Sequence, residues 1–483
     1  MKRRYSLLFF LVFSISIYAY DLTIDTATLS DPLYGTENLE LLYYIHQKAM
    51  QGGFHIRYPK AKIIYITVTA NAKSIPLVDS VNFNGCRFIV LNKFKGYTLF
   101  KMSRESRDIT IRKELIDKKS FKEIKQFSKG EFQLIIQDKT PWVKQRQGYN
   151  YGAIRKDLLF IRDGKCLNNP IAPYNTSQSY PLCSYLPIDG KRKIFENIIF
   201  QRDSMSTYPT FLLEVNNEDN VYLKNIKIET PAHSKISSGD FCLSINNSSR
   251  VYLDNIRIEN TYSSYNQYGY AIALDNLWNC HFKNIYASAQ WGIFGNNNIS
   301  DIYVDDCYLN RFDVHCYGAN FTFSNCVFEN TLNDRNTYNQ LSSFFGNLIF
   351  DHCSFINFTP VLFEPSYNAY KRFDLYLNNC YWKIPSSKPY LIQAGFLDNN
   401  INSRDELSQK EWPNVYINGL DISCSESTPI EIFHLYKPAD YQGTVKYISQ
   451  IQMKGINFSN RSSSFVLCND STISFANHIH IKY

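Results

Sequence analysis

Short stretches of alternating apolar and polar residues recur through the second half of the chain, and they share one ending. Two alternating apolar positions lead to an Asn or a similar turn residue, and then to Ile, Leu or Cys, where a new alternating stretch starts. Successive turn residues lie between 19 residues (306 to 325) and 40 residues (379 to 419) apart. This spacing predicts a solenoid of short strands whose loops absorb the differences in length. The turn positions are Asn197, Asn225, Asn255, Asn284, Asp306, Asn325, His352, Asn379, Gly419 and Gly455.

The residue types at the turn and after it predict where each side chain lies. Asn, Asp and Gly accept a left-handed backbone at low cost, so they suit a sharp turn between two strands. The next residue then starts a strand facing the core, and we interpret its four cysteines as a buried column of free thiols, not as metal ligands or redox groups. The remaining eight cysteines, among them Cys166 and Cys183, leave a disulfide open. The inward column is Ile198, Ile226, Ile256, Ile285, Cys307, Cys326, Cys353, Cys380 and Leu420.

The first 20 residues have the pattern of a secretory signal. Lys2, Arg3 and Arg4 precede an apolar run over residues 7–17, and Ala19 offers a small residue for cleavage. The apolar run is shorter than the roughly 18 to 20 residues that a membrane span needs, although an uncleaved N-terminal anchor is the alternative. We therefore predict export without a membrane span, to the medium, the periplasm or the cell surface.

Charge is concentrated in one segment of the chain. The whole sequence carries 51 Lys and Arg against 44 Asp and Glu, and the excess falls within residues 101–193. Its lysine-rich part has the pattern of the solvated face of a partly helical insertion, and the alternative is a docking surface for an acidic polymer. For an exported protein, we expect that polymer to be an anionic polysaccharide and not a nucleic acid. The 16% aromatic residues provide for core stacks and for outer platforms on which sugar rings can lie.

With this repeat, the chain resembles the right-handed parallel β-helix of the pectate lyase and pectin lyase-like superfamily. The resemblance covers residues 190–460 through the repeat, and it extends upstream through helical periodicity over residues 39–51, the Gly52-Gly53 pair and a first coil over residues 75–91. It implies an all-β, right-handed, single-stranded parallel β-helix with an N-terminal capping helix and a small, partly helical insertion. We expect a signal peptide (1–20), a cap and first coil (21–100), a basic insertion with early coils (101–190), regular coils (191–460) and a C-terminal strand or cap (461–483).

One predicted strand has more outward side chains that can act in catalysis or binding than the other strands. In residues 311–317, alternation places Phe312, Val314 and Cys316 in the core and the polar residues between them on the outer face. The stretch from residue 311 to residue 315 also resembles an Arg-Phe-Asp-x-His stretch of exported and phage-borne β-helix proteins. We therefore predict a groove with catalytic Arg311, Asp313 and His315, and with substrate-binding Tyr317, Phe294, Asn296, Asp275 and Glu364.

The predicted groove suits acid–base chemistry on a sugar. His315 titrates near neutrality and serves as base or acid, with Asp313 or Glu364 as its partner. Arg311 would neutralise a uronate carboxylate, as a lyase requires. A hydrolase needs two carboxylates about 5 Å or about 6.5 to 9.5 Å apart, which Asp313 and Glu364 meet only loosely. The alternative is that these polar side chains form a hydrogen-bonded row on the surface and bind no ligand.

Several enzyme signatures are missing from the sequence. The Asp pairs and the Gly-His-Gly turn of polygalacturonase-type hydrolases do not occur, nor do the calcium and arginine motifs of pectate lyases, a phosphate-binding loop or a paired zinc motif. We therefore predict no cofactor, and no motif supports a calcium site, although calcium binding stays open.

The sequence leaves two hypotheses for the function. The first is a β-helix protein that binds an extracellular polysaccharide, with or without cleaving it as a lyase or hydrolase, and the second is a non-catalytic surface or adhesion protein. The sequence does not predict an oligomeric state.

Overall fold

The computed structural model describes most of the chain in segments. These are residues 15–16, 19–23, 29–94, 96–111, 127–143, 153–170, 181–208, 210–229, 242–259, 271–287, 293–295, 298–314, 318–329, 338–341, 344–363, 373–384, 390–395, 413–424, 429–436, 446–447, 450–459, 465–466, 474–475 and 479–481. The predicted signal peptide lies mostly outside them and stays a prediction. In the part of the chain that is described, no helix is both long and apolar enough to cross a membrane.

Helix α1 (Gly35–Gly52) closes the N-terminal end of the solenoid, as the periodicity over residues 39–51 predicted. A short 3-10 turn (Pro32–Tyr34) precedes it, and Gly53 ends it in the left-handed conformation, with a φ of 68° that glycine adopts without strain. The apolar stripe of α1, which includes Leu39, Leu42 and Ala49, is buried against the first strands because these spacings share one helix face.

Parallel strands wound into coils form the body of the molecule. Among the described residues, 29 strands are hydrogen-bonded into one sheet, and every pairing is parallel except that of the first two strands. The chain is a right-handed parallel β-helix, as predicted. The 29 strands are Ile15–Ser16, Ala19–Thr23, His55–Arg57, Ile63–Thr67, Ile75–Pro76, Ser80–Leu91, Tyr97–Ser103, Lys193–Arg202, Thr210–Asn216, Asp219–Glu229, Leu243–Glu259, Ile272–Ala287, Ile293–Gly295, Ile299–Asp305, Tyr308–Leu309, Phe312–Val314, Gly318–Ser324, Val327–Glu329, Tyr338–Leu341, Phe344–Asp351, Ser354–Ile356, Thr359–Phe363, Phe373–Lys383, Tyr390–Gly395, Asn414–Ser423, Ile430–Tyr436, Ile451–Phe458, Phe465–Val466 and Ile479–Ile481. A separate pair, Lys446–Tyr447 and Ser474–Phe475, is also parallel.

The predicted turn residues all adopt the left-handed backbone. At the ten positions φ lies between 49° (Asn379) and 87° (Gly419). Stacked turns also bond to one another, because the amide of Asn225 donates to Asn197 Oδ1 and the amide of Asn255 donates to Asn225 Oδ1, each at 2.8 Å. The turn prediction is therefore confirmed, and the side-chain amides form a ladder along the helix axis.

The inward column lies in the core, as predicted. Its nine residues, from Ile198 to Leu420, are at most 2% exposed. The thiols donate to backbone carbonyls of the strands around them, for example Cys380 to Phe350 O at 3.4 Å, and burial raises the pKa of Cys380 to about 12. All ten described cysteines, including Cys166 and Cys183, are free thiols.

A small antiparallel sheet, here called the insertion sheet, packs on the side of the solenoid. Its five strands are Arg107–Ile109, Glu131–Val143, Ala153–Arg162, Lys165–Cys166 and Leu182–Ile188. The sequence predicted a partly helical insertion, but strands make up the described part, because its apolar residues alternate with period two and form their own small core. The lysine-rich residues 112–126 lie outside the described residues.

Candidate functional site

The structure buries two of the three predicted catalytic residues. Arg311 is 1% exposed and Asp313 is 0% exposed, so the prediction that both lie on an exposed row is wrong. They form a two-pronged ion pair, with Arg311 Nε 2.8 Å from Asp313 Oδ1 and Nη2 2.5 Å from Oδ2. Strand alternation correctly separates both from the core residues Phe312 and Val314, but it does not tell whether the outer side is covered.

Four other predicted site residues, His315, Tyr317, Asn296 and Glu364, lie outside the described residues. Phe294 is described only through its backbone, in the strand Ile293–Gly295, where it pairs with Asp313 of the next coil. The sequence pattern aligned Phe294 with His315, so that predicted register is wrong by two residues. The chemistry assigned to the groove stays a prediction.

Asp275 forms an ion pair with a residue of the insertion sheet. Its Oδ2 lies 2.8 Å from Lys156 Nζ of the insertion sheet, so the carboxylate is paired across the junction between the sheet and the solenoid. Residue 273 pairs with Phe294, which pairs with Asp313, so Asp275 lies two coils and two residues away from Asp313. That places the two Cα atoms roughly 12 Å apart, too far for both carboxylates to hold one small group.

A column of aromatic side chains on the outer wall escaped the sequence analysis. In four successive coils the same outward position holds a ring, and adjacent centroids lie 4.5, 5.1 and 4.7 Å apart with the planes within 13° of parallel. The signal is present in the repeat itself, since the residue three before the turn is Tyr or His in these four coils. This ring column consists of Tyr222, Tyr252, His281 and Tyr303.

The two ends of the ring column differ. At one end the Arg192 guanidinium lies 3.7 Å from the centroid of Tyr222 and covers its outer face. At the other end Tyr303, which is 42% exposed, is followed in the next two coils by Thr322 and Ile349. A second stack then begins with Tyr376, whose ring lies 4.8 Å from that of Tyr416.

Acidic residues line one side of this wall. Lys283 Nζ lies 3.1 Å from Asp305 Oδ2 and 3.3 Å from Asp306 Oδ2, and these hydrogen bonds raise the pKa of Lys283. Farther along the axis, Asp351 contacts His352 at 3.2 Å. Within the described ranges, no three His, Cys, Asp or Glu side chains cluster closely enough to hold a metal ion. The chemistry that this wall offers is ring contact and hydrogen bonding.

Comparison with known proteins supports the fold. No family model matches the sequence, and no curated protein matches it. The structure is similar to the Gp54 tailspike of Acinetobacter baumannii bacteriophage AP22, solved in complex with A. baumannii capsular saccharide, with a TM-score of 0.51 and 12% identity over 91% of this chain and 76% of that one. The tailspike protein gp49 from Pseudomonas phage LKA1 matches with a TM-score of 0.44 and 10% identity over 89% of this chain and 76% of that one. The AP22 match supports the parallel β-helix fold that the strand pairing of this chain shows.

Proposed function

We propose that this protein binds an extracellular polysaccharide on the outer wall of its β-helix. The observation that carries the proposal is the ring face of Tyr303, which no neighbouring ring covers at the end of the ring column and which has polar residues beside it. Aromatic rings pack against the apolar faces of sugars, while neighbouring amides and carboxylates bond to sugar hydroxyls. The saccharide bound to the similarly folded AP22 tailspike supports this use of the fold.

The proposed site of action is outside the cytoplasm. In residues 1–20, basic residues are followed by an apolar run and then by a small residue, and this order is typical of a secretory signal. A polysaccharide of a cell surface or capsule is accessible to an exported protein, and the regular walls of a solenoid suit a long repetitive polymer.

Cleavage of the polymer is the finer part of the proposal, and it depends on His315. Both carboxylate oxygens of Asp313 are bonded to Arg311, so in this arrangement Asp313 is a positioning residue and not the base. His315 is two residues farther along and remains the proposed acid or base of a lyase or hydrolase.

A glycan panel tests the proposal. Purified protein is screened for binding to neutral, acidic and capsular polysaccharides, and bound glycans are then assayed for new reducing ends and for the absorbance of unsaturated uronates. The variant His315→Ala is compared with His55→Ala, a matched histidine near the N-terminal cap. Binding to no glycan would refute the proposed function. Cleavage that His315→Ala leaves intact would remove His315 from the chemistry, and binding without cleavage would favour the non-catalytic adhesion role.

A further inference from the structure

Ring faces on the wall are mostly occupied by other rings, and this limits where a sugar can stack. Tyr252 has Tyr222 on one face and His281 on the other, at 4.5 and 5.1 Å. Those distances leave no room for a sugar ring between them, because carbon atoms in contact are about 3.5 to 4.0 Å apart. Within the ring column only the edges of such rings face solvent.

Among the described stacked rings of this wall, Tyr303 and Tyr376 each have a face that no neighbouring ring covers, and these two faces point toward each other. Tyr303 is followed by Thr322 and Ile349, whose side chains are too short to cover the outer half of a tyrosine ring, and Tyr376 comes next. Three coil spacings of about 4.8 Å separate the two tyrosines, so the gap between the ring planes is roughly 14 Å. The open bay is therefore a recess with Thr322 and Ile349 as its floor and an aromatic face at each end.

The size of the open bay fits sugar rings. A sugar stacked on each tyrosine at about 4 Å leaves roughly 6 Å between the two sugars, which is the scale of one further ring or of a glycosidic link. Because the tyrosine rings lie across the solenoid axis, a sugar stacked on either of them also lies across it.

The rim of the open bay selects against negative charge. Two residues along from Tyr303 and Ile349, the strands carry Asp305 and Asp351, both facing outward. Among the described residues at this rim, Asp305 and Asp306 pair with Lys283, and Asp351 contacts His352, so three carboxylates stand against one lysine and one histidine. A uronate in the bay would lie roughly 7 Å from like charges, which costs a few-fold in affinity at low salt. Carboxylates accept hydrogen bonds from sugar hydroxyls at no such cost.

We infer that the open bay between Tyr303 and Tyr376 is a stacking site for the neutral sugars of a glycan. The inference rests on the proposed function and narrows it, because the rim charges disfavour the anionic polysaccharide that the sequence suggested. The faces of Tyr303 and Tyr376 bind the sugar rings, and Asp305 and Asp351 bond to their hydroxyls. The remaining rings of the ring column stabilise Tyr303 from behind.

Binding measurements on single variants test this inference. Neutral and uronate-containing oligosaccharides are titrated into wild-type protein, Tyr303→Ala, Tyr376→Ala and Tyr44→Ala by calorimetry. Tyr44 is a matched control, since it is half exposed but lies on α1. Losing one stacking face of roughly 50 to 60 Å² weakens neutral-sugar binding about tenfold in the first two variants and leaves Tyr44→Ala unchanged. Circular dichroism confirms that each variant is folded.

A separate experiment tests the effect of the rim carboxylates on uronate binding. The pair Asp305→Asn and Asp351→Asn keeps hydrogen-bonding groups at the rim but removes two charges, so uronate binding rises a few-fold and its dependence on salt weakens. Wild-type affinity for neutral glycans that survives both Tyr303→Ala and Tyr376→Ala would overturn the inference and leave the proposed function standing. A wild-type preference for uronates would overturn it as well. Binding to no glycan at all would overturn both.

Discussion

Asp313→Ala separates a structural from a chemical role for the buried pair. Arg311 is 1% exposed and its guanidinium is bonded to both oxygens of Asp313, so the variant leaves a charged group in the interior without this partner. Removing one member of a buried ion pair costs about 3 to 5 kcal/mol, because the remaining charge keeps its desolvation penalty. At about 1.4 kcal/mol per factor of ten, local opening becomes at least roughly 100-fold more frequent.

The matched control is Asp275→Ala. Asp275 is also an aspartate of the solenoid paired with a cation, but both partners are about one-fifth exposed, so the contact is worth about 1 kcal/mol or less. The expected loss is then fivefold or smaller.

Amide hydrogen exchange followed by mass spectrometry is the suitable assay. A long repeat array does not unfold in one step, so local protection is more informative than a single melting curve. Asp313→Ala should lose protection in the strand Phe312–Val314 and in its neighbours Ile293–Gly295 and Tyr338–Leu341. If exchange there matches that of Asp275→Ala while glycan cleavage is abolished, the structural explanation is refuted and Asp313 acts in the chemistry.

Two further predictions concern the turns and the N-terminal cap. Asn255→Ala should lower the hydrogen-exchange protection of its coil, because alanine costs about 1 to 2 kcal/mol in the left-handed backbone that Asn255 adopts at φ 55°. Asn255→Gly keeps this backbone without strain and should lose only the amide bond to Asn225. Equal losses would contradict the turn argument. His46 is fully buried, its Nδ1–H donates to Pro76 O and its Nε2 accepts from the hydroxyl of Tyr58, and desolvation lowers its pKa to about 3. The unfolded chain protonates this histidine below pH 6.5 and the folded chain does not, so stability is complete above pH 6.5 and falls by up to about 1.4 kcal/mol per pH unit towards pH 3. Hydrogen exchange of α1 between pH 7 and pH 4.5 should show this slope, and His46→Gln should lack it; an unchanged slope in that variant would assign the pH dependence to other groups.

The left-handed turns were predictable because their signal is local. Asn, Asp or Gly tolerates the positive φ at a sharp turn, and the position after it is core-facing whatever the loop length. Even His352, an unusual residue for the left-handed region, was placed by its position in the repeat and adopts φ 52°. Two further columns with positive φ, which include Asn276 and Asn279, were missed, and in the first of them the residue after the turn is not regularly apolar, as Glu218 and Ser248 show.

The candidate site was harder to predict from the sequence. Alternation assigned Arg311 and Asp313 to the outer side of the strand, but it carries no information about what else packs there. The partner of Asp275 is Lys156, 119 residues upstream in the insertion sheet, and no local pattern connects the two. A strand of the insertion sheet contributes this cation to the wall of the solenoid, and the charge pattern of the insertion did not indicate that contact.

The sequence alone determined that the chain winds into coils, where each coil turns and which side chains enter the core, since these follow from backbone preferences and alternation over a few residues. Tertiary structure decided which outward side chains stay in contact with water and which rings stack, because that depends on the register between coils 19 to 40 residues apart and on what covers each wall. By sequence alone, all tyrosines that lie three residues before a turn are equivalent. Only the neighbouring coils leave a face of Tyr303 and of Tyr376 open while covering both faces of Tyr252.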